Sequence, residues 1–177
     1  ASGGSIITRK ELVDKFKYYS DNDFFIYAEE IDYCWRLHLL GYKIYYEPKS
    51  VIFHYGGATT KKKDVEMPLK MAFLLHRNHI LILLKNYSFK TLLKIMPIKI
   101  FLDLAAAGAY LFKKPSRSIA IIWSFLWILM NSFKILKKHN YVQQFRQVSD
   151  KRIMKKMTKE SVALAYWLFG KKKFKDY

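Results

Sequence analysis

Phe24-Phe25-Ile26-Tyr27-Ala28-Glu29-Glu30-Ile31-Asp32-Tyr33-Cys34-Trp35-Arg36 is the stretch from which the fold is read. An apolar run closes on an acidic group and passes into a helical period, with Ile31, Cys34, Trp35 and His38 expected on the buried face. Gly41 follows the last periodic residue, where a C-terminal cap belongs. To the N-terminal side, Gly4–Thr8 reads as a short strand and Arg9–Phe16 as a helix with Leu12, Val13 and Phe16 on one face. Tyr18 to Asn22 is polar and turn-like. To the C-terminal side, Lys43–Tyr46 reads as a strand, Glu47-Pro48-Lys49-Ser50 as a turn, and Val51–His54 as a second strand before Gly56-Gly57. Residues 1–58 are thus expected to form β-α-α-β-β, an α/β fragment. About sixty such residues make a marginal core by themselves.

The chain has 177 residues, 51% of them hydrophobic and 17% aromatic, which excludes a disordered polymer. Cys34 is the one cysteine, so an internal disulfide framework and a cysteine zinc cage are excluded and a reducing compartment is expected. The start at Ala1-Ser2-Gly3-Gly4, without methionine, suggests a fragment or a processed piece. Charge is split unevenly. Residues 1–66 hold 10 Lys/Arg and 10 Asp/Glu, whereas residues 67–177 hold 22 Lys/Arg and 4 Asp/Glu. The basic part is also the apolar part. An anionic membrane surface fits that combination better than nucleic acid, for which the basic residues should interleave with exposed aromatics. Trp123, Phe125 and Trp127 lie instead inside an uncharged run.

Beyond the charged boundary Lys61-Lys62-Lys63, a helix is expected from Pro68 to about Lys85. Two apolar stretches follow, Leu92–Phe112 and Ser118–Leu136, separated by Lys113-Lys114-Pro115-Ser116-Arg117. The first is interrupted by Lys94, Pro97, Lys99 and Asp103. The second has an uncharged run of 16 residues, Ser118–Phe133, short of the roughly 20 that cross a bilayer. Basic residues flank it on both sides, so helices lying in the membrane interface are preferred over a span or a re-entrant hairpin. The tail from Gln143 to Tyr177 reads as helical.

Three constellations are candidates for chemistry. Glu29 and Glu30 stand at a helix start, where acids complement the macrodipole and where a carboxylate can also serve as general base to a hydroxyl. Asp32 and Arg36, four apart, can pair on one face. His54, at a strand end before Gly56-Gly57, is either structural or a ligand for a divalent metal or phosphate. Asp21-Asn22-Asp23 has the spacing of a metal-diphosphate clamp but follows no buried strand, and reads as a solvated turn. His76 and His79 lack a carboxylate in their own helix and read as non-ligands.

The blocks Gly3-Gly4-Ser5-Ile6-Ile7-Thr8-Arg9, Phe24–Arg36, Gly41-Tyr42-Lys43-Ile44 and His54-Tyr55-Gly56-Gly57-Ala58-Thr59 together resemble family 2 glycosyltransferases, in particular their bacterial rhamnosyltransferase-like branch. The resemblance covers about residues 3–60, with a looser match at Arg77-Asn78 and along Val142–Asp150. It implies the acceptor half of a GT-A, Rossmann-like domain over residues 1–60, followed by a basic, mostly helical membrane-associating region over residues 61–177. It implies that Glu30 is the catalytic base, with Glu29 and Asp32 beside it, where the family more often has Asp at the position of Glu30. It implies that Trp35, Arg36, Gly3 and Gly4 bind substrate and that His54 approaches the metal, Mg²⁺ or Mn²⁺. The family's nucleotide-binding units and its own Asp-x-Asp are expected upstream of Ala1.

The function expected is that of the C-terminal part of an inverting glycosyltransferase. It would move a sugar such as rhamnose from a nucleotide donor to a surface glycan or lipid-linked acceptor, at the cytoplasmic face of the bacterial inner membrane. The rival is a non-catalytic membrane-binding module, a remnant or a subunit needing a separate nucleotide-binding chain.

Overall fold

The computed structural model describes residues 5–15, 23–24, 26–53 and 67–157. These residues are 68% helical, and none of them is in a strand or a sheet. The expected α/β, Rossmann-like fragment is therefore corrected to a helical architecture. Residues 5–9, 42–47 and 51–53, which alternate as strands should, run without any ladder. Ile7, Tyr45, Tyr46, Val51 and Phe53 stand exposed along them. A strand is stable only when its N–H and C=O groups meet a second strand, and none is present among the described residues, although Ile44 packs against the cluster of Leu12, Tyr33 and Leu37.

Among the described residues seven helices run in order: α1 (Lys10–Lys15), α2 (Glu29–Leu39), α3 (Leu69–Asn86), α4 (Phe89–Tyr110), α5 (Pro115–Met130), α6 (Ser132–Gln143) and α7 (Asp150–Met154). α3 is the hub. It packs on α2, α5 and α6, while α4 packs on α5. Its sequence is apolar nearly all round, as a helix covered on several sides must be. The main core joins Trp35 and Leu39 of α2, Leu81 and Ile82 of α3, Leu92 of α4, and Ile135 and Val142 of α6. A smaller cluster, Leu12 with Tyr33, Leu37 and Leu40, seats α1 on α2.

The expected end of α2 is found. Gly41 has φ +83°, a left-handed conformation that costs a residue with a Cβ. There the Tyr42 amide donates to the Leu37 carbonyl and the Gly41 amide to the His38 carbonyl, both at 3.0 Å, closing the last turn. The buried face of α2 differs from the expected one: Ile31 is exposed and Cys34 and His38 are half-buried, whereas Asp32, Tyr33, Arg36 and Leu37 are buried with Trp35. The apolar period marks the other side as the inner face, but Asp32 and Arg36 turn inward because α3 supplies Lys85 and Asn86 as polar partners for Asp32.

Those partners also explain residues 142–150. The last turn of α3 leaves carbonyls without an intrahelical donor. The Gln143 side-chain amide donates to the carbonyls of Lys85 (3.0 Å) and Asn86 (3.2 Å), and Arg146 donates to the carbonyl of Asn86. Arg146 also holds Asp150 at 2.7 Å, and Asp150 accepts from the Ser88 hydroxyl (2.6 Å) and amide (2.9 Å). One chain of bonds thus ties the ends of α3 and α6 to the starts of α4 and α7.

No single helix among the described residues is long and apolar enough to cross a membrane. α5 and α6 pass that test only together, and they are bent by 73° at Asn131.

Candidate functional site

α2 begins from an unusual turn. Tyr27 and Ala28 both have positive φ, 70° and 71°, although neither is glycine. Such residues persist only where their surroundings hold them, and they concentrate at functional sites. What holds them is Asn78 of α3, fully buried, whose amide donates to the carbonyls of Ile26 and Tyr27, each at 2.8 Å. Arg77 binds the Asn78 side-chain oxygen (Nε at 3.0 Å) and the backbone carbonyl of Asp23, and stacks over Trp127 at 4.7 Å. The Arg77-Asn78 pair is therefore a clamp on the segment leading into Glu29 and Glu30.

Beneath those two acids lies a buried charged cluster. Asp32 is 0% exposed. Its Oδ2 accepts from Arg36 Nε at 2.9 Å and from Lys85 Nζ at 3.0 Å, and its Oδ1 accepts from Asn86 at 2.9 Å. The pairing of Asp32 with Arg36 is as the spacing suggested. Lys85 and Asn86 were not foreseen, because partners fifty-odd residues away are set by how α3 crosses α2. Asp32 is saturated by these donors and serves as an anchor; it offers no free base. Trp35, expected to meet substrate, is instead buried in the main core, its ring edge-on to Tyr87 with centroids 4.7 Å apart. Arg36 is likewise turned inward.

Glu29 and Glu30 are half-buried at the positive end of α2. The Glu29 Oε2 is buried and has no hydrogen-bond partner among the described residues. Neither acid is placed in an ion pair by the described residues. A carboxylate oxygen withdrawn from water and left unmatched has a standing demand for a donor. One turn on, burial pushes the Cys34 thiol up, and the Glu30 carboxylate raises it further. Cys34 also lines a cleft of about 450 Å³ between α2 and the segments around Thr8 and Lys43. Glu29 and Glu30 do not line that cleft, so its size says nothing of what the acids bind.

Gly3, Gly4, His54, Asp21 and Asn22 lie outside the described residues. Asp23 is not part of a solvated turn: its side chain is mostly buried and pairs with Lys134 (2.6 Å) and Lys138 of α6. No group of three or more His, Cys, Asp or Glu among the described residues is placed to hold a metal ion. His76 feels Asp103 of α4, but burial dominates and holds its pKa below the usual imidazole value.

Comparison with protein-family models, with curated proteins and with solved structures returned no match.

Proposed function

We propose that this chain is the acceptor-side part of a family 2-like inverting glycosyltransferase working against a membrane. The observation that carries the reading is the presentation of Glu29 and Glu30 at the start of α2. Both acids lack ion-pair partners among the described residues, behind them is a strained Tyr27-Ala28 turn clamped by Asn78, and beneath them is a saturated Asp32 cluster. No sheet enters into it.

In this reading Glu30 accepts the proton of an acceptor hydroxyl. The oxygen attacks the anomeric carbon of the donor sugar from the face opposite the leaving diphosphate. The bond from that carbon to the diphosphate oxygen breaks with its electron pair, and the configuration inverts. Glu29, beside it, accepts a hydrogen bond from a second hydroxyl of the acceptor. General-base assistance of this kind supplies roughly 10²- to 10⁴-fold. The donor, a nucleotide sugar such as one carrying rhamnose, is bound by a nucleotide-binding unit outside the described residues. The acceptor is a surface glycan or lipid-linked saccharide at the cytoplasmic face of the inner membrane. Among the described residues no His, Cys, Asp or Glu group is placed to hold Mg²⁺ or Mn²⁺; in this proposal a metal would be held by His54 with the donor diphosphate, whose leaving charge it would offset. Nucleic acid has no place in the reading.

The test is transfer of radiolabelled sugar from nucleotide donors into lipid-extracted acceptors by membranes bearing the full-length protein. Glu30→Gln is expected to lower transfer by at least about 100-fold with an unchanged circular dichroism spectrum. Undiminished transfer by Glu30→Gln would remove the base. The exposed apolar helices α4 and α5 favour a second reading, a membrane-binding module without catalysis, and that reading stands if wild-type membranes transfer no more than membranes lacking the protein.

A further inference from the structure

α4 and α5 are built inside out. On α5 the buried side carries Ser118, Ala120, Ile121 and Ser124, three of the four small or polar. Its exposed side carries Ile119, Ile122, Leu126 and Leu129 at the spacing of a single helical stripe, while Trp123, also partly exposed, stacks on Phe73 of α3 with centroids 4.3 Å apart. Leu129 is 73% exposed and no charged residue interrupts the run. α4 repeats the arrangement. Its Asp103 is buried and paired with Lys99, while Phe101, Leu104, Leu111 and Phe112 at its outer side and end are exposed. A helix facing water would show the reverse distribution. Small residues against protein and large apolar residues outward are the pattern of helices that meet lipid.

The charges say which surface covers this face. Residues 89–143 contain nine Lys/Arg and a single acid, Asp103, already neutralised by Lys99. Lys113 and Lys114 stand exposed between the two helices, and Lys137 lies over the Phe133 ring at 4.5 Å. A second copy would set this basic face against itself, and nucleic acid would leave the apolar stripes in water. An anionic bilayer matches both components. The length of α5 sets the depth: 16 residues extend about 24 Å, less than the roughly 30 Å hydrocarbon core, and one side is occupied along its length by α3.

We infer that the outer stripes of α4 and α5 lie in one leaflet of an anionic membrane, side chains into the acyl boundary and Lys113, Lys114 and Lys137 among the headgroups. This names the contact surface of the membrane partner proposed above but does not rest on the transfer chemistry, and lipid contact is measured below without any sugar. In the full-length protein, Cys34→Ser removes the native thiol and a Leu129→Cys substitution carries an environment-sensitive fluorophore. With vesicles of phosphatidylcholine and phosphatidylglycerol the emission is expected to shift to the blue, with quenching stronger by spin labels near the headgroups than by labels at the acyl end. A fluorophore at Glu47→Cys should stay water-like. Leu126→Glu, at an exposed position, should weaken vesicle partitioning by at least about tenfold with unchanged circular dichroism. A water-like Leu129→Cys emission on vesicle-bound protein, or a blue shift that needs only higher protein concentration, overturns the inference. So does stronger quenching at the bilayer centre, which would mean a crossing helix.

Discussion

Replacing Asp32 by alanine tests whether the charged cluster under α2 is an anchor. Asp32 is fully buried, and the side chains of Arg36 and Lys85 are only 5% and 3% exposed. Removing the carboxylate takes from two buried cations the acid they share and leaves the Asn86 amide without its acceptor at 2.9 Å. Breaking one buried pair by deleting a partner costs about 3–5 kcal/mol, and with two cations left behind the upper part of that range is expected. A domain is stable by only about 5–15 kcal/mol, so a large share of the total is lost. With a urea slope of about 2 kcal/mol/M, the midpoint should fall by about 2 M. Urea unfolding of the purified protein, followed by helical circular dichroism and by the fluorescence of Trp35 and the other tryptophans, measures it. Asp32→Asn, which keeps the shape and removes the charge, should cost at least about 3 kcal/mol by the same reasoning. Adding Lys85→Met to Asp32→Asn should recover part of the loss, since one of the two buried charges that Asp32 offsets is then gone. A cost below about 1 kcal/mol for Asp32→Asn would refute the anchor, because it would mean that Arg36 and Lys85 are solvated in the native protein.

The remaining expectations concern single contacts. Asn78→Leu removes two donors and leaves the Ile26 and Tyr27 carbonyls unmatched, so it should destabilise by about 2–4 kcal/mol in the same urea assay. Gly41→Ala should cost about 1–2 kcal/mol through its left-handed backbone alone, as an added Cβ meets nothing nearer than 3.8 Å, from Gln147 and Val148. Burial would raise the Asp150 carboxyl, but the hydrogen bonds from Ser88, Thr91 and Arg146 outweigh it and hold the pKa below the usual carboxylate value. Its contribution is therefore present above about pH 4, the unfolded carboxylate pKa, and is lost as pH falls through the lower folded value. Acid titration of Asp150→Asn should accordingly lack part of the wild-type loss of stability below about pH 4. His76 is held neutral mainly by burial, so the unfolded chain binds the extra proton and stability should decline as pH drops below about 6.5; His76→Gln should flatten that decline in melting temperatures between pH 7 and pH 5.

Helix-forming stretches were legible locally because their signals are local. The period after Glu29, the glycine at 41, the proline at 68 and the break among Lys113–Arg117 each act within a turn or two, and α2, α3, α4 and α5 fall close to where they were expected. The acids at the head of α2 were legible as a candidate for the same reason. Strand propensity around Thr8, Lys43 and Val51 was just as visible but insufficient, since a strand is a pairing and the described residues supply no second strand. Which face of α2 turns inward was also not readable from α2. Its outcome depends on Lys85 and Asn86 one helix away, and on Gln143 and Arg146 beyond them, whose looser motif carried the only advance sign. Local signals placed α2, α3, α4 and α5, the cap at Gly41, the basic and apolar character of residues beyond 67, and the acidic pair at 29 and 30. Packing alone decided that Asp32 is buried against Arg36, Lys85 and Asn86, that Asn78 holds the strained turn before the acids, and that much of the apolar surface of α4 and α5 faces outward. Periodicity names the faces of a helix, but only the neighbours that pack against it decide which face is buried.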